Sequence, residues 1–498
     1  MSQLFTPNVL LPLAASYAVR GIAGFTNTVT NALDQRKINS IYEPVQNAMT
    51  GKLTLYLAKR PGVADVGSSY GTTGQISYVW DIAAGATTNA AANRWVFSTS
   101  GDDIRASDTA TTTVIVAAAG YEPVYVDKTA ISGTDTLLVQ LRNASGTQRA
   151  FHSTAIGSFT EIADTDFTGL AHQGKIEHLD GFACVSTRNR IYNSDLNSLS
   201  AWGANSYISR QATQDIGTGL AKLGQQIISF GTATMEVFRN AGNPAGSPLE
   251  ALPQYAKSYG MPSTIVTGMR HYYATSEGRM YWRGSNPHGV FTYNGETVEK
   301  VSNPGIDKIL AERQHYFVSA IGFQGQRAIV IGLDTPDATT QRALLFFPRF
   351  NEWFEWTSTV FIPQASTRLE DVFLGVGSNQ HKLYSISTAS DNWQDAGTNV
   401  TTTHQFKIPA DGGGRKFMGM AGIIADSHSS TSSLSAGSTV AISFSDNDGQ
   451  SFDTARDVDL RERTKAITRC GSYFERLVRI THTGNAPFRA ESFMARVK

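Results

Sequence analysis

A basic or polar residue, then an apolar residue, then an aromatic recurs along this chain. Each copy follows an apolar strand and a turn rich in Gly, Ser, Thr or Asn. The clearest copies are Arg190-Ile191-Tyr192, Arg279-Met280-Tyr281 and Lys382-Leu383-Tyr384, and weaker ones end at Tyr56, Phe97, Phe151, Phe238 and Phe346. Successive aromatics are 38 to 65 residues apart, about 47 on average. Repeats of roughly 40–50 residues built from short strands mark the blades of a β-propeller. One such unit cannot bury its apolar face alone, so neighbours must stack, and six to eight blades are expected.

Hairpins fill in the pattern. Leu137–Leu141 with Arg149–Phe151, Phe182–Val185 with Ile191–Tyr192, and Ile227–Phe230 with Met235–Phe238 each form one. Tyr272–Thr275 pairs with Met280–Trp282, Ala328–Ile331 with Ala343–Phe347, and Val372–Val376 with Leu383–Ser385. Asn294-Gly295 predicts a type I′ hairpin, because that turn needs positive φ at both positions. Asn351–Trp356 reads as an outer, half-exposed strand, and Asp334–Thr340 as an inserted loop. Helical periodicity is confined to two short candidates, Leu223–Ile228 and Gly305–Gln314, the second with Ile306, Ile309 and Leu310 on one face.

The texture changes near residue 395. The expected fold is all-β: an extended N-terminal arm over 1–45, a β-propeller-like body with loop insertions over 46–395, and a C-terminal β-sandwich over 396–498.

Lys+Arg and Asp+Glu are 42 each, which excludes bulk electrostatic attraction to nucleic acid or anionic membrane and leaves only local patches. One such patch is the basic tail, and Arg461, Arg463, Lys465, Arg469, Arg476 and Arg479 are its candidate DNA-facing or partner-facing residues. No apolar run reaches the roughly 20 residues of a membrane span. The apolar stretch Val9–Ala15 follows no Lys or Arg and is broken by Pro12, unlike a signal peptide. Cys184 and Cys470 are too few and too far apart for a disulfide framework or a metal motif, and read as reduced, buried thiols.

Catalytic motifs are weak. Gly67-Ser68-Ser69-Tyr70-Gly71 matches a nucleophile elbow in letters but follows a Pro-Gly turn with no helix after it. Ser445-x-Asn447-x-Gly449-x-x-Phe452 resembles the Asp-box of sialidase-type propellers with Asn in place of Asp, but a single degenerate copy reads as a plain turn. His172 and His178 lack metal spacing, and Glu352 and Glu355 point to opposite faces of a strand. No catalytic, cofactor or metal site is expected.

Three stretches resemble the tail-hub proteins of short-tailed bacteriophages, also called tail nozzle or packaged-DNA stabilisation proteins. The first runs from Asp34-Gln35-Arg36-Lys37-Ile38-Asn39 to Glu43-Pro44, then Gly51-Lys52-Leu53 and Arg60-Pro61-Gly62. The second is Asp180-Gly181-Phe182, Ile191–Asp195 and Leu223–Phe238, with Phe230-Gly231 and Glu236-Val237-Phe238; the third is Ser443–Phe452 with Arg469-Cys470-Gly471 and Leu477–Ile480. The chain departs from the family pattern in having Asn39-Ser40 where Asn-Cys is common, and in its long plain arm over 1–33. The resemblance implies a non-enzymatic virion tail protein assembled in the bacterial host cytoplasm. It implies a homo-hexameric ring below the portal and head-to-tail adaptor, which retains packaged double-stranded DNA and conducts it out during ejection. Tail fibres or tailspikes and a plug or needle protein are the further partners implied. The alternative function is a propeller glycosidase or lyase acting on host surface polysaccharide, which would need clustered carboxylates, or Arg and Tyr, at the propeller mouth.

Overall fold

In the computed structural model the described residues are 9–13, 36–46, 53–65, 75–81, 94–100, 103–107, 112–117, 120–143, 145–155, 158–211, 215–262, 272–312, 315–323, 325–333, 341–366, 372–376, 381–386, 393–408, 414–427, 437–462 and 465–498. Within them seven four-stranded antiparallel units follow one another along the chain. Blade 1 begins at Gln75–Asp81, blade 2 at Tyr121–Ile131, blade 3 at Gln173–Leu179 and blade 4 at Gly217–Leu223. Blade 5 begins at Tyr273–Ser276, blade 6 at His315–Phe323 and blade 7 at Ile362–Ser366.

Blade 7 has only three strands of its own. Its fourth is Val63–Asp65, which pairs antiparallel with Ile386–Tyr384. A segment from before blade 1 therefore completes the last blade, and the chain closes the ring on itself. Closure covers the apolar faces of the first and last blades, which an open array would leave exposed. Aromatic pairs link consecutive blades: Phe230 with Trp282, Tyr281 with Phe346, and Trp356 with Phe361.

The recurring aromatics mark the blades one by one. Phe97, Phe151, Tyr192, Phe238, Tyr281, Phe346 and Tyr384 each lie on a strand of a different blade. Tyr56 does not. Its strand, Leu53–Lys59, pairs with Ser40–Gln46 and with Arg489–Val497 in the second body. The expected propeller start at 46 and the expected arm over 1–45 thus differ from what forms. Spacing along the chain reports a repeat, but not which sheet a strand joins.

The second body has two sheets facing each other. One holds Ser40–Gln46, Leu53–Lys59, Arg489–Val497, Lys416–Ala425 and Ala466–Thr468, with Val9–Pro12 added beside Ser492–Ala495. The other holds Arg36–Ile38, Thr402–Ile408, Arg476–His482, Thr439–Ser445 and Arg456–Asp459. Phe406 and Phe493 meet edge to face between them, with ring centroids 5.2 Å apart.

Three local expectations are corrected. Leu223–Ile228 is a hairpin rather than a helix: Leu223 pairs with Gln226, and Gly224 takes a φ of 57° at the turn. Asn294-Gly295 belongs to a four-residue loop between Tyr293 and Val298, where Asn294 Oδ1 accepts from the amides of Glu296 and Thr297. Type I′ geometry occurs instead at Glu277-Gly278, with φ of 52° and 73° between paired Ser276 and Arg279. Asn351–Trp356 does lie on blade 6's outer strand, Glu352–Ser358, but Arg36–Ile38 covers that edge and buries Phe354, Glu355 and Trp356. The expected helix forms as Pro304–Glu312, burying Ile306, Ile309 and Leu310. Asp334–Thr340 and Gly67–Gly71 lie outside the described residues.

Candidate functional site

The N-terminal block that carries part of the family resemblance forms a buried joint between the ring and the two-sheet body. Arg36–Ile38 is inserted between them. It pairs antiparallel with Thr403–Gln405 and, through Ile38, parallel with Glu355 of blade 6, so nine strands run on as one sheet. Side chains reinforce this seam. Arg36 donates two hydrogen bonds to Glu355, at 2.8 and 2.7 Å, and Arg342 approaches the same carboxylate at 2.7 Å. Burial alone would raise the Glu355 pKa, but hydrogen bonds from Arg36 and the charges of Arg342 and Arg36 outweigh it and hold it below the usual range. Lys37 donates to Glu352 and to the Tyr42 hydroxyl, both at 2.7 Å. Burial lowers its pKa, and Glu352 offsets only part of that cost. Both carboxylates considered for acid–base work are thus held in structural pairs.

Asn39 is the joint's hub, and its φ of 53° is one that Asn tolerates better than most residues. Its Nδ2 donates to Thr357 Oγ1 and to the Thr401 carbonyl. Its Oδ1 accepts from the Thr357 amide and from Arg60 Nε. Arg60 also grips Asp395 with two hydrogen bonds, at 2.8 and 2.5 Å, and stacks 3.7 Å over the Trp356 ring. A bidentate guanidinium in a buried pair leaves an uncompensated charge if either partner is cut back. Gly62 follows because space demands it: a Cβ there would lie 2.2 Å from the Gln394 carbonyl oxygen.

Tyr272 ties four blades together. Tyr272 enters from the start of blade 5 and meets Tyr125 of blade 2 edge-on at 5.8 Å. Its hydroxyl donates to the Leu220 carbonyl of blade 4 and accepts from the Lys175 amide of blade 3. Gly174 and Gly219 make room for it, since a Cβ on either would crowd the phenol ring. Beside it, Lys175 Nζ lies 3.0 Å from Glu177 Oε1 and 3.6 Å from Asp127, while the Tyr273 hydroxyl donates to Glu177 at 2.6 Å. Burial, partly offset by Lys175, lifts the Glu177 pKa to about 6. Sequence reasoning passed over this cluster, because its members are distant in the chain and share no motif.

The second resembling stretch is a locked turn. Asp215 accepts from the amides of Ala233 and Thr234 and from the hydroxyls of Thr232 and Thr234. The third, expected as a plain turn, is stapled by side chains: Ser445 Oγ accepts from the Gly449 amide, and Asn447 Oδ1 from the Ser451 amide.

The candidate basic tail does not form one face. Arg476 is 4% exposed and pairs twice with Asp446. Lys465 is 6% exposed and donates to Ser427 and to the Glu462 carbonyl. Arg479 lies 3.5 Å over the Phe452 ring, and Arg461 folds onto Asp459. Arg469 is exposed, with its backbone amide bonded to the Gly419 carbonyl. Arg463 lies outside the described residues. Among the described residues no group of three or more His, Cys, Asp or Glu is placed to hold a metal ion. His172 bonds the Phe167 carbonyl instead, and both cysteines are buried and unpaired.

The chain was compared with known proteins. Among solved structures it is similar to an ancestral GH74 enzyme (11% identity, TM-score 0.37, covering 70% of this chain and 56% of that one). It is also similar to an oligogalacturonate lyase in complex with manganese (10%, 0.30, 71% and 98%) and to Kluyveromyces lactis Hsv2 (10%, 0.28, 53% and 81%). Likenesses this distant carry no functional conclusion. No curated protein matches the sequence significantly. The family model described as bacteriophage P22 Gp10, β-propeller, matches residues 53–340. That match spans more than half of the chain, and the protein belongs to this family of phage tail nozzle and DNA-stabilisation proteins.

Proposed function

We propose that this tail component assembles as a homo-hexameric ring below the portal and head-to-tail adaptor, where it retains packaged DNA and serves as its exit conduit. It is a scaffold rather than an enzyme, assembled in the host cytoplasm, and meets fibres or tailspikes and a plug or needle protein at its outer and lower faces. The single observation that carries this reading is Tyr272 of blade 5 packed against the first strands of blades 2, 3 and 4. Side chains of four blades packed together leave no room at that point for a duplex, so the conduit is proposed to lie between copies. The deep joint supports the same reading. Ion pairs and a shared nine-stranded sheet suit a part that must transmit load without its two bodies separating. Purified particles examined by quantitative mass spectrometry and imaging should hold six copies around an axial channel. A strictly monomeric protein absent from particles would refute the reading.

A further inference from the structure

We propose that consecutive copies in the ring touch through a cationic aromatic patch on the two-sheet body of one copy and an acidic leucine turn on blade 3 of the next. This rests on the ring reading above. Phe417 is 51% exposed and Phe474 62%. They belong to one edge: Phe417 pairs with Ser472, two residues before Phe474. Exposed cations surround them. Lys498 exchanges two backbone hydrogen bonds with Phe417, both at 2.9 Å. Arg415 donates twice to Ser472 Oγ, and the Arg469 amide bonds the Gly419 carbonyl. The nearby acid Glu475 is engaged by Lys407 at 2.6 Å. The patch therefore keeps a positive rim around an apolar centre, and aromatic side chains with arginines are the residues that most often dominate protein interfaces.

The same chain carries a complement. Leu196 is 59% exposed at the turn between the third and fourth strands of blade 3. Asp195 precedes it. Asp180 comes alongside because the Asn197 amide bonds the Gly181 carbonyl at 2.7 Å. Both aspartates are exposed, and Asn240 Nδ2 donates to Asp180 at 3.1 Å. An exposed apolar side chain flanked by carboxylates complements an exposed apolar patch flanked by cations in both polarity and sign. Because the two patches differ and sit on different bodies, the contact is head-to-tail, the kind that builds a ring when its rotation closes. Duplex DNA is the poorer occupant, since phosphates would satisfy the cations but leave two phenylalanines facing a charged backbone.

The test uses particles carrying the full chain with Leu196→Cys and Phe474→Cys together. Mild oxidation and a non-reducing gel should give a ladder of linked copies, absent from either single variant. A second measurement reads incorporation into particles. Asp195→Lys alone and Arg469→Glu alone should each lower it at least tenfold, and the pair combined should recover most of it; Arg415→Glu substitutes if Arg469→Glu misfolds. Rings that assemble without the ladder and tolerate the single reversals overturn this contact while leaving the ring intact. Reversals that weaken binding to a duplex probe but leave the ring unchanged assign the patch to DNA and overturn it too. A chain missing from particles fails the ring reading itself.

Discussion

His404 shows how the joint depends on keeping one side chain neutral. It is buried directly opposite Lys37 across the strands that tie the ring to the second body, with Ile480 on its other side. Burial, with Lys37 alongside, pushes its pKa from the usual 6.5 down to about 3. The unfolded chain therefore binds a proton below pH 6.5 that the folded chain refuses until about pH 3. The stabilisation is complete above 6.5 and is lost as pH falls, by about 1.4 kcal/mol per pH unit once the unfolded histidine is charged. Glu177, with its raised pKa, and His172 and His178 also titrate between pH 6.5 and 5, so the His404 contribution is the difference between parent and His404→Phe. In denaturant titrations the variant should lose less stability than the parent as pH falls across this window. An unchanged slope in that variant would place the acid sensitivity elsewhere. Residue roles of this kind were hardly legible in the sequence. The resemblance singled out Arg36, Lys37, Asn39 and Arg60, but their partners Glu355, Glu352, Thr357 and Asp395 lie more than 300 residues away. Counting charges near the C-terminus grouped Arg476 and Lys465 with Arg469, although burial separates them.

Elements were more legible where the pattern is local. Strand–turn–strand units announce themselves through a period of two and a turn residue, and the hairpins read from sequence formed in every blade from 2 to 7. Non-local pairing was hidden. Nothing near Val63–Asp65 signals that it completes blade 7, or that Arg36–Ile38 covers blade 6. Gly62 sits at the hinge of both arrangements, packed against the backbone of Gln394. Its φ is not positive, so space rather than conformation requires glycine here. Gly62→Ala should force the closing strand away from blade 7 and cost about 1–3 kcal/mol, the usual range for overpacking. Hydrogen exchange should then rise first in Val63–Asp65 and His381–Ile386. A uniform loss across all blades, or no loss, would contradict a local seam.

At the scale of the molecule, the period of aromatics bounded the blade number but could not fix it, because Tyr56 fell into step from a strand of the other body. That strand also gives the reason to expect that the C-terminal part does not fold as a unit by itself. Its first sheet needs Ser40–Gln46 and Leu53–Lys59 beside Arg489–Val497, and its second needs Arg36–Ile38 beside Thr402–Ile408. Residues 396–498 alone would expose the core around Phe406, Phe493 and Ala490 and leave two sheet edges unpaired. This piece expressed by itself should show the poor chemical-shift dispersion of a collapsed chain. The same piece joined through a flexible linker to residues 36–62 should regain dispersion and a cooperative melt. A stable fold for the short piece would mean that the N-terminal strands only decorate a finished body. The opposite result would mean that the chain's two ends must meet before either body is complete, so the second body is finished by the same N-terminal segment that closes the ring.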